Sequence, residues 1–93
     1  MDLNLHQLQI FLTVARERSF SRAADKLRIS QPSVSIQIKK LEDALQVELL
    51  ERLGRRIYLT RAGGAVLEHV KNLRDIVAKL EHDIKGLKDV GRG

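Results

Sequence analysis

Apolar residues recur along this chain at the three- and four-residue spacing of amphipathic helices. Three segments before residue 46 and one longer segment after residue 60 show this spacing. The positions that we expect to be buried are Leu8, Phe11, Leu12 and Ala15 in the first segment, Ala23, Ala24 and Leu27 in the second, and Val34, Ile38, Leu41 and Leu45 in the third. The pattern therefore predicts a mainly α-helical chain.

Short polar side chains precede each of the four segments. Asn4, Ser21, Ser30 and Thr60 can each accept a hydrogen bond from a free backbone N–H group in the first turn of a helix. Gln7, three residues after Asn4, can reach back and complete a capping box. These residues predict where the four helices begin.

A different pattern separates the third and fourth helices. Two short β-prone runs, residues 47–52 and 57–59, flank the polar tip Leu53-Gly54-Arg55-Arg56. Apolar runs of this length around a glycine-containing tip are typical of a β-hairpin.

The last segment, residues 61–90, has the most regular apolar pattern. Its seam residues alternate by four and three and are Val66, Val70, Leu73, Val77, Leu80, Ile84 and Leu87. At ~1.5 Å per residue this helix extends ~45 Å, too far for a 60-residue domain to cover its stripe. We therefore expect a homodimer through this helix; coverage by another part of a longer chain is the alternative. Val and Ile at one seam position, with mostly Leu at the other, favour a parallel pair.

Composition narrows the function classes. The chain has 93 residues, 43% of them hydrophobic and 31% charged, which fits one small folded domain. It has no Cys, which excludes a disulfide framework, a thiol nucleophile and a cysteine-based zinc site. No run of about 18 apolar residues exists, so we expect no membrane association and a cytoplasmic location. The formal net charge of +5 is compatible with a polyanionic partner.

The second and third helices form a predicted helix-turn-helix at about residues 20–39. A three-residue connection joins them, and the small side chains of Ala23 and Ala24 allow the helices to pack closely. In such a motif the second helix lies in the DNA major groove. The candidate DNA-contacting residues on its polar side are Ser33, Ile36, Gln37, Lys39 and Lys40, together with Ser30, Gln31 and Ser35 near its N-terminal end.

These side chains suit different parts of DNA. Gln31 can pair with adenine, Ser35 with several base edges, and an exposed Ile36 offers an apolar contact to the thymine methyl group. Lys39 and Lys40 suit phosphates. An ordinary solvated helix face explains helix three equally well when it is considered alone.

The hairpin favours the DNA-binding interpretation. Arg52, Arg55 and Arg56 cluster at or beside its tip, where guanidinium groups can enter a narrow minor groove. Ser21 and Arg22 of the second helix complete the set of candidate DNA contacts. The predicted fold is thus a winged helix-turn-helix at residues 3–60, comprising three helices and a β-hairpin wing. A long linker and dimerisation helix at residues 61–90 and a tail at residues 91–93 follow.

Several strings in this order resemble one family. SFSRAADKL at residues 19–27, SQPSVS at 30–35, LER at 50–52 and LTRAG at 59–63 are similar to the N-terminal domain of LysR-type transcriptional regulators. The resemblance covers about residues 3–65 and runs on through the linker helix.

The resemblance implies a bacterial regulator that binds double-stranded DNA as a homodimer. It implies that Gln31, Pro32, Ser33, Ser35, the residue at position 36 and Lys39 lie against DNA. It also implies antiparallel pairing of the linker helices, against the parallel preference of the seam, and we follow the family here. Higher oligomers are possible in a full-length protein.

Family members usually continue into an inducer-binding domain, which these 93 residues do not contain, so we expect a small-molecule inducer to act only through such a domain. The chain is either part of a longer member or differs in kind from the family.

Four positions bear on this resemblance. Ile36 stands where the family often has Arg, which removes a possible guanine contact. Gln46 stands where the family often has Gly, so the turn into the wing is open to change. Gly63 and Gly64 are costly inside a helix, and we expect both to pack against the wing or the first helix.

Two other classes of function were considered. An enzyme is disfavoured because the three His residues are scattered, no His pair has metal-ligand spacing, and no glycine-rich phosphate loop follows a strand. We therefore predict no catalytic residues, no metal site and no cofactor. A helical protein-interaction module without sequence-specific DNA binding is the stronger alternative, because the seam of the last helix supports it equally.

Overall fold

The computed structural model describes residues 2–90, and the predicted tail at 91–93 lies outside the described residues. Its elements follow one another as α1 (Leu5–Glu17), α2 (Phe20–Leu27), α3 (Gln31–Leu45), β1 (Leu50–Leu53), β2 (Arg56–Leu59) and α4 (Arg61–Val90). This order confirms the mainly α-helical class, with three helices, a hairpin wing and a long final helix.

Three of the four predicted helix starts are observed. Asn4 Oδ1 accepts from the backbone N–H groups of the first turn of α1, and Ser30 Oγ accepts from Ser33 N. Thr60 Oγ1 accepts from Gly63 N at 2.9 Å and so caps α4. Each bond satisfies a backbone donor that has no partner inside its helix.

The predicted start of α2 was wrong by two residues. Ser19, not Ser21, has extended backbone geometry, and its Oγ accepts from Arg22 N at 3.1 Å. Ser21 already belongs to the first turn, and its Oγ lies 3.1 Å from Ser19 Oγ. Both serines are suitable cap residues. The side chain of Phe20, which lies between them, is buried in the core. Because this places Phe20 at the first position of α2, the cap is Ser19.

Non-glycine residues end the first three helices. Arg18, Arg28 and Gln46 all have positive φ angles, between 52° and 58°. In each case the backbone N–H of the residue donates to carbonyls of the preceding turn, which closes the helix. Gln46 thus adopts the left-handed backbone geometry that a glycine would adopt more easily, and α3 ends there before the chain turns toward the wing.

Helix α1 lies at the centre of the core and contacts α2, α3 and α4. For this reason it buries Ile10 and Val14 completely, in addition to the predicted Leu8, Phe11 and Leu12. Ala23 and Ala24 of α2 are buried where the helices approach closely, as predicted. The α3 positions Val34, Ile38 and Leu41 are buried and Leu45 is partly buried.

The wing is shorter than predicted and is anchored at its base. Strands β1 and β2 pair antiparallel around a two-residue turn, Gly54-Arg55, in which Gly54 has a φ of 64°. Glycine at this position is typical of a tight hairpin turn. Beside the base, Leu49 is fully buried, and its N–H donates to Glu42 Oε2 of α3 at 2.7 Å.

Gly63 and Gly64, the two glycines in the first turn of α4, differ in their surroundings, which makes half of the packing prediction wrong. A side chain at Gly63 would collide with the backbone of Leu49 and with Leu59 at the base of the wing. Gly64 has nothing within 4 Å of where a Cβ would lie. Only Gly63 therefore allows the close approach of α4 to the wing.

Helix α4 divides into a packed part and an exposed part. Val70 is 3% exposed and Val66 packs against the core of its own chain. Within the monomer Val70 is thus buried and Val66 is partly buried, whereas the sequence predicted both as residues of the dimer seam. From Leu73 onward the helix extends away from the domain, and the described chain measures 59 Å along its longest axis.

Candidate nucleic-acid interface

The helix-turn-helix presents a mixed polar and apolar face on α3. Gln31, Pro32, Ile36, Lys39 and Lys40 are exposed, and Ile36 keeps 53% of its surface in contact with solvent. Pro32 and Ile36 are one helical turn apart, so their side chains lie on the same face. The face therefore combines a hydrogen-bonding amide, an apolar patch and two cations.

Gln37 does not lie on this exposed face as predicted. It is half-buried, and its Oε1 accepts from Gln7 Nε2 of α1 at 3.0 Å. The same bond satisfies the side-chain nitrogen of the buried Gln7, and within residues 2–90 no hydrogen bond joins the Gln7 side chain to Asn4 as the predicted capping box requires. Gln37 belongs to the contact between α1 and α3.

The serines at the start of α3 are engaged in local hydrogen bonds. Ser30 Oγ donates to Ser33 Oγ at 2.8 Å and also caps the helix. Ser35 is half-buried. Two of the predicted contact residues thus already have a structural role at the helix start, where the free N–H groups also favour an anion.

The wing brings three arginines close to this helix start. A cleft of about 330 Å³ lies between the wing and the helix-turn-helix, and the N-terminus of α2 lines the side opposite the wing. Its lining residues include Arg18, Ser19, Phe20, Ser21, Gln31, Arg52, Arg55 and Arg56. Arg22, the other predicted contact of α2, is exposed.

The charge of this surface is not neutralised locally. The three salt bridges within residues 2–90 are Lys26–Glu17, Lys39–Asp43 and Lys71–Glu68. None of them includes a wing arginine. Lys39 pairs with Asp43 at 3.2 Å, but both side chains are mostly exposed, so the pair is screened by solvent and weak. The cleft and the adjoining face of α3 can thus attract a polyanion.

One contact of the wing was not foreseen in the sequence. The guanidinium carbon of Arg52 lies 4.3 Å from the centre of the Phe20 ring. The two residues are 32 positions apart, and no spacing pattern indicates that they meet. Arg52 was predicted only as a contact to DNA.

A second surface follows the exposed part of α4. Leu73, Val77, Leu80, Ile84 and Leu87 are between 38% and 68% exposed, and Ile76 extends this apolar strip. The strip continues into a groove of about 310 Å³ against α1, lined in part by Leu5 and Leu8. The seam pattern missed Ile76 and Leu5, because neither of them lies at a seam position of α4.

Within residues 2–90, no group of three or more His, Asp or Glu residues is arranged to hold a metal ion. No helix in that range is sufficiently long and apolar to cross a membrane.

The fold and this surface define a winged helix-turn-helix protein with a long linker helix. The model of the bacterial regulatory helix-turn-helix proteins of the lysR family matches residues 5–64. The chain belongs to this family.

Curated relatives are similar over nearly the whole chain. A RuBisCO operon transcriptional regulator from Allochromatium vinosum is 41% identical over 93 residues, which is 31% of its own length. The transcriptional activator CmpR from a Synechocystis species is 46% identical over 90 residues, or 30% of its length. The chain thus spans about a third of the length of these relatives.

Solved structures of similar fold include chains bound to DNA. A crystal structure of the BenM DNA-binding domain with benA site 1 DNA matches 91% of this chain and 96% of that one, with a TM-score of 0.87 and 36% identity. The CbnR DNA-binding domain in complex with DNA matches 91% of this chain and 98% of that one, with a TM-score of 0.84 and 34% identity.

Proposed function

We propose that this chain is the DNA-binding and dimerisation part of a bacterial transcriptional regulator, and that it seats α3 in the major groove of double-stranded DNA. The observation that carries the proposal is the exposed face of α3 beside a cleft lined by wing arginines that form no salt bridge within residues 2–90. The similarity to the BenM and CbnR domains, both solved on DNA, supports it.

Base recognition falls to residues in the first turns of α3. Gln31 offers an amide that can pair bidentately with adenine, and Ser35 a hydroxyl that suits several base edges. Pro32 and Ile36 form an apolar patch that suits thymine methyl groups. Lys39 and Lys40 contact phosphates, as do Ser21 and Arg22 from α2. Ser30 and Ser33 hold the helix start, whose free N–H groups face the DNA backbone.

The wing contributes from the neighbouring groove. Arg55 in the turn and Arg56 at the start of β2 are exposed and form no salt bridge within the described residues. A narrow A·T-rich minor groove has a strongly negative potential that attracts such guanidinium groups. Wing contacts of this kind favour A·T-rich sequence beside the major-groove site.

The apolar strip of α4 joins two copies of the chain. Its side chains remain exposed from Leu73 onward, and a contiguous apolar strip of this length marks an interaction surface. Two chains held by their α4 helices place two α3 helices on one duplex, which fits a site with two-fold symmetry. We favour antiparallel pairing on the basis of the family, although the seam residues alone favour parallel pairing.

The relatives' greater length extends the proposal beyond this chain. In a full-length regulator a further domain would follow α4 and bind a small-molecule inducer. This chain itself requires no cofactor for the proposed binding and no catalytic group. Binding to the chromosome places the protein in the bacterial cytoplasm.

A protein-interaction module without DNA binding is the competing function, and the exposed strip of α4 favours it. Fluorescence anisotropy with labelled random duplexes at two salt concentrations separates the two functions. Each phosphate contact adds ~0.9 to the slope of log affinity against log salt. A slope of several units supports DNA binding, whereas no measurable binding at low salt leaves the interaction module.

Sequence preference is tested by selecting bound duplexes from random DNA. We expect two half-sites related by a two-fold axis. On the selected site, Gln31→Ala should weaken binding by ~1–3 kcal/mol with little loss on random DNA. Lys40→Ala is the matched control, because loss of a phosphate contact weakens both duplexes equally. An equal loss on both duplexes for Gln31→Ala would show that Gln31 contacts only the backbone.

The apolar contact of Ile36 has a direct test in the DNA. Replacing one thymine by deoxyuridine removes the methyl group and leaves the hydrogen bonds unchanged. We expect wild-type protein to lose about threefold to fourfold in affinity at one thymine per half-site, the value of one buried methyl group. Ile36→Ala should be insensitive to the same replacement. If wild type and variant respond alike at every thymine, Ile36 does not contact thymine.

Dimer formation is tested with Leu80→Asp. This side chain is 58% exposed in the monomer, so a charge there leaves the fold of one chain intact. Light scattering should then give the mass of one chain, and affinity for a two-fold site should fall steeply because the second half-site contact is no longer intramolecular. A dimer of unchanged stability would exclude this strip as the interface.

A further inference from the structure

The contact between Arg52 and Phe20 connects the wing to the helix-turn-helix. Arg52 lies on β1, and Phe20 is the first residue of α2. The separation of 4.3 Å between the guanidinium carbon and the ring centre is well within the range in which a cation is attracted to an aromatic face. Phe20 is only 8% exposed, so the ring is fixed by the core while the arginine lies over it.

Besides this contact, Leu50 and Ile57 of the wing strands pack against the core, and hydrogen bonds hold the base of the wing. There, Glu42 accepts hydrogen bonds from Leu49 N and Leu50 N, and Thr60 N donates to Leu49 O. Beyond the base, residues 53–56 are all exposed. A two-stranded hairpin has little stability of its own, so a contact near its tip has a large effect on where that tip lies.

The position of this contact is what makes it important for recognition. Phe20 and Arg52 both line the cleft that lies between Gln31, at the start of α3, and Arg55, at the tip of the wing. The width of this cleft sets the distance between the side chains that read the major groove and those that enter the minor groove. A hairpin that swings freely would bring Arg55 to the minor groove only part of the time.

We propose that Arg52 is a positioning residue: by stacking on Phe20 it fixes the wing at the distance from α3 at which Arg55 meets the adjacent minor groove. This inference rests on the proposed function of the wing. It differs from the sequence-based prediction for Arg52, because the guanidinium acts on Phe20 and its effect reaches DNA through Arg55.

The contact itself can be tested without DNA. The chain has no Cys, so Leu53→Cys and Lys40→Cys introduce two unique sites for nitroxide spin labels. Both positions are exposed. Electron spin resonance then gives the distribution of distances between wing and α3, with labelled chains diluted in unlabelled chains to suppress distances between protomers.

The matched pair for this measurement is Phe20→Leu and Phe20→Tyr. Leu removes the aromatic face without changing any charge, whereas Tyr keeps the face. We expect Leu to broaden the distance distribution and Tyr to leave it narrow. Arg52→Met changes an exposed residue and should not disturb folding. We expect it to broaden the distance distribution as Phe20→Leu does. An unchanged distribution in Arg52→Met overturns the proposal.

The consequence for recognition is measured as flank discrimination, the ratio of affinities for duplexes with A·T-rich and G·C-rich flanks. We expect Arg52→Met and Phe20→Leu each to reduce this ratio by about two- to fivefold, the range for an exposed cation–π contact. The double variant should show no further loss, because both changes break one contact.

Other outcomes have distinct meanings. A salt slope lowered by ~0.9 in Arg52→Met, but not in Phe20→Leu, would mean that Arg52 contacts a phosphate directly and would overturn the positioning role. Lower thermal stability with an unchanged ratio would leave only a structural role and would also overturn it. If wild-type protein discriminates no flanks while the spin-label distances respond as expected, the proposed minor-groove function of the wing fails and the Arg52–Phe20 contact stands.

Discussion

The close approach of α4 to the wing at Gly63 leads to a stability prediction with a built-in control. Replacing Gly63 by Ala places a Cβ 3.0 Å from the carbonyl carbon of Leu49, closer still to its oxygen, and 3.2 Å from Leu59 Cδ2. The Leu59 methyl is the end of a side chain and can turn away. The Leu49 carbonyl cannot move freely, because it accepts from Thr60 N at 3.0 Å.

Two opposing effects determine the magnitude. Ala is favoured over Gly in a helix by ~1 kcal/mol. Forcing a methyl group into a closely packed backbone contact typically costs ~1–3 kcal/mol, and a clash with a fixed carbonyl belongs at the upper end. We therefore expect Gly63→Ala to lower the free energy of unfolding by about 1–2 kcal/mol. Gly64→Ala gains the helix preference without a clash and should raise it by about 0.5–1 kcal/mol.

Thermal unfolding followed by circular dichroism distinguishes these variants. For a domain of this size ~1 kcal/mol corresponds to a shift of ~4–8 °C in Tm. All proteins must be compared at one concentration, because the proposed dimer would make Tm depend on concentration. If Gly63→Ala were as stable as Gly64→Ala, the close contact between α4 and Leu49 would not exist in solution, and the account of the wing's base would be wrong.

Substitutions at three further positions test separate parts of the fold. Gln46→Gly should stabilise the chain by ~0.5–1 kcal/mol in urea unfolding, because Gly adopts a φ of 57° without strain; Gln46→Ala keeps the strain, and equal stabilities would contradict this explanation. Val70→Ala should destabilise the chain by ~2 kcal/mol, since the residue is buried against its own core. Val77→Ala, at an exposed position, should weaken only the dimer by sedimentation; a reversed pattern would assign Val70 to the dimer interface.

Local sequence rules predicted the elements well because each element carries its own signal. Asn4, Ser30 and Thr60 act as helix caps through hydrogen bonds to backbone groups only two or three residues away. Ser19 and Ser21 show where such rules become ambiguous. Both hydroxyls can cap a helix, and the choice depends on Phe20, which is buried by residues remote in the sequence.

The burial of α1 was underestimated for a related reason. A periodic pattern identifies one apolar face, and the pattern of Leu8, Phe11 and Leu12 describes the face of a helix with one neighbour. In the structure α1 has three helical neighbours, so Ile10 and Val14 are also fully buried. The number of neighbours depends on how α4 returns to the domain, and no local pattern in α1 contains that information.

The candidate site was predictable as a set of residues but not as a set of contacts. The exposed side chains of α3 were recognised because they lie opposite its buried face. The sequence did not indicate that Gln37 and Arg52 each have a partner about 30 residues away, Gln7 in one case and Phe20 in the other. Both side chains are polar, and polarity alone does not distinguish a residue that awaits a ligand from one that already has a partner.

The division of α4 at about residue 70 connects the fold to the proposed mode of binding. Val70 lies in the core and Val66 packs against it. We therefore expect the exposed part of α4 to be a rigid continuation of the winged helix-turn-helix domain and not a flexible tether. A rigid connection fixes the spacing of the two α3 helices in the proposed dimer. Binding of one half-site then presents the second α3 at high effective concentration, but only to sites of matching spacing. In the proposed dimer, selectivity for half-site spacing would thus originate in the packing of α4 against α1, without any base contact from that packing.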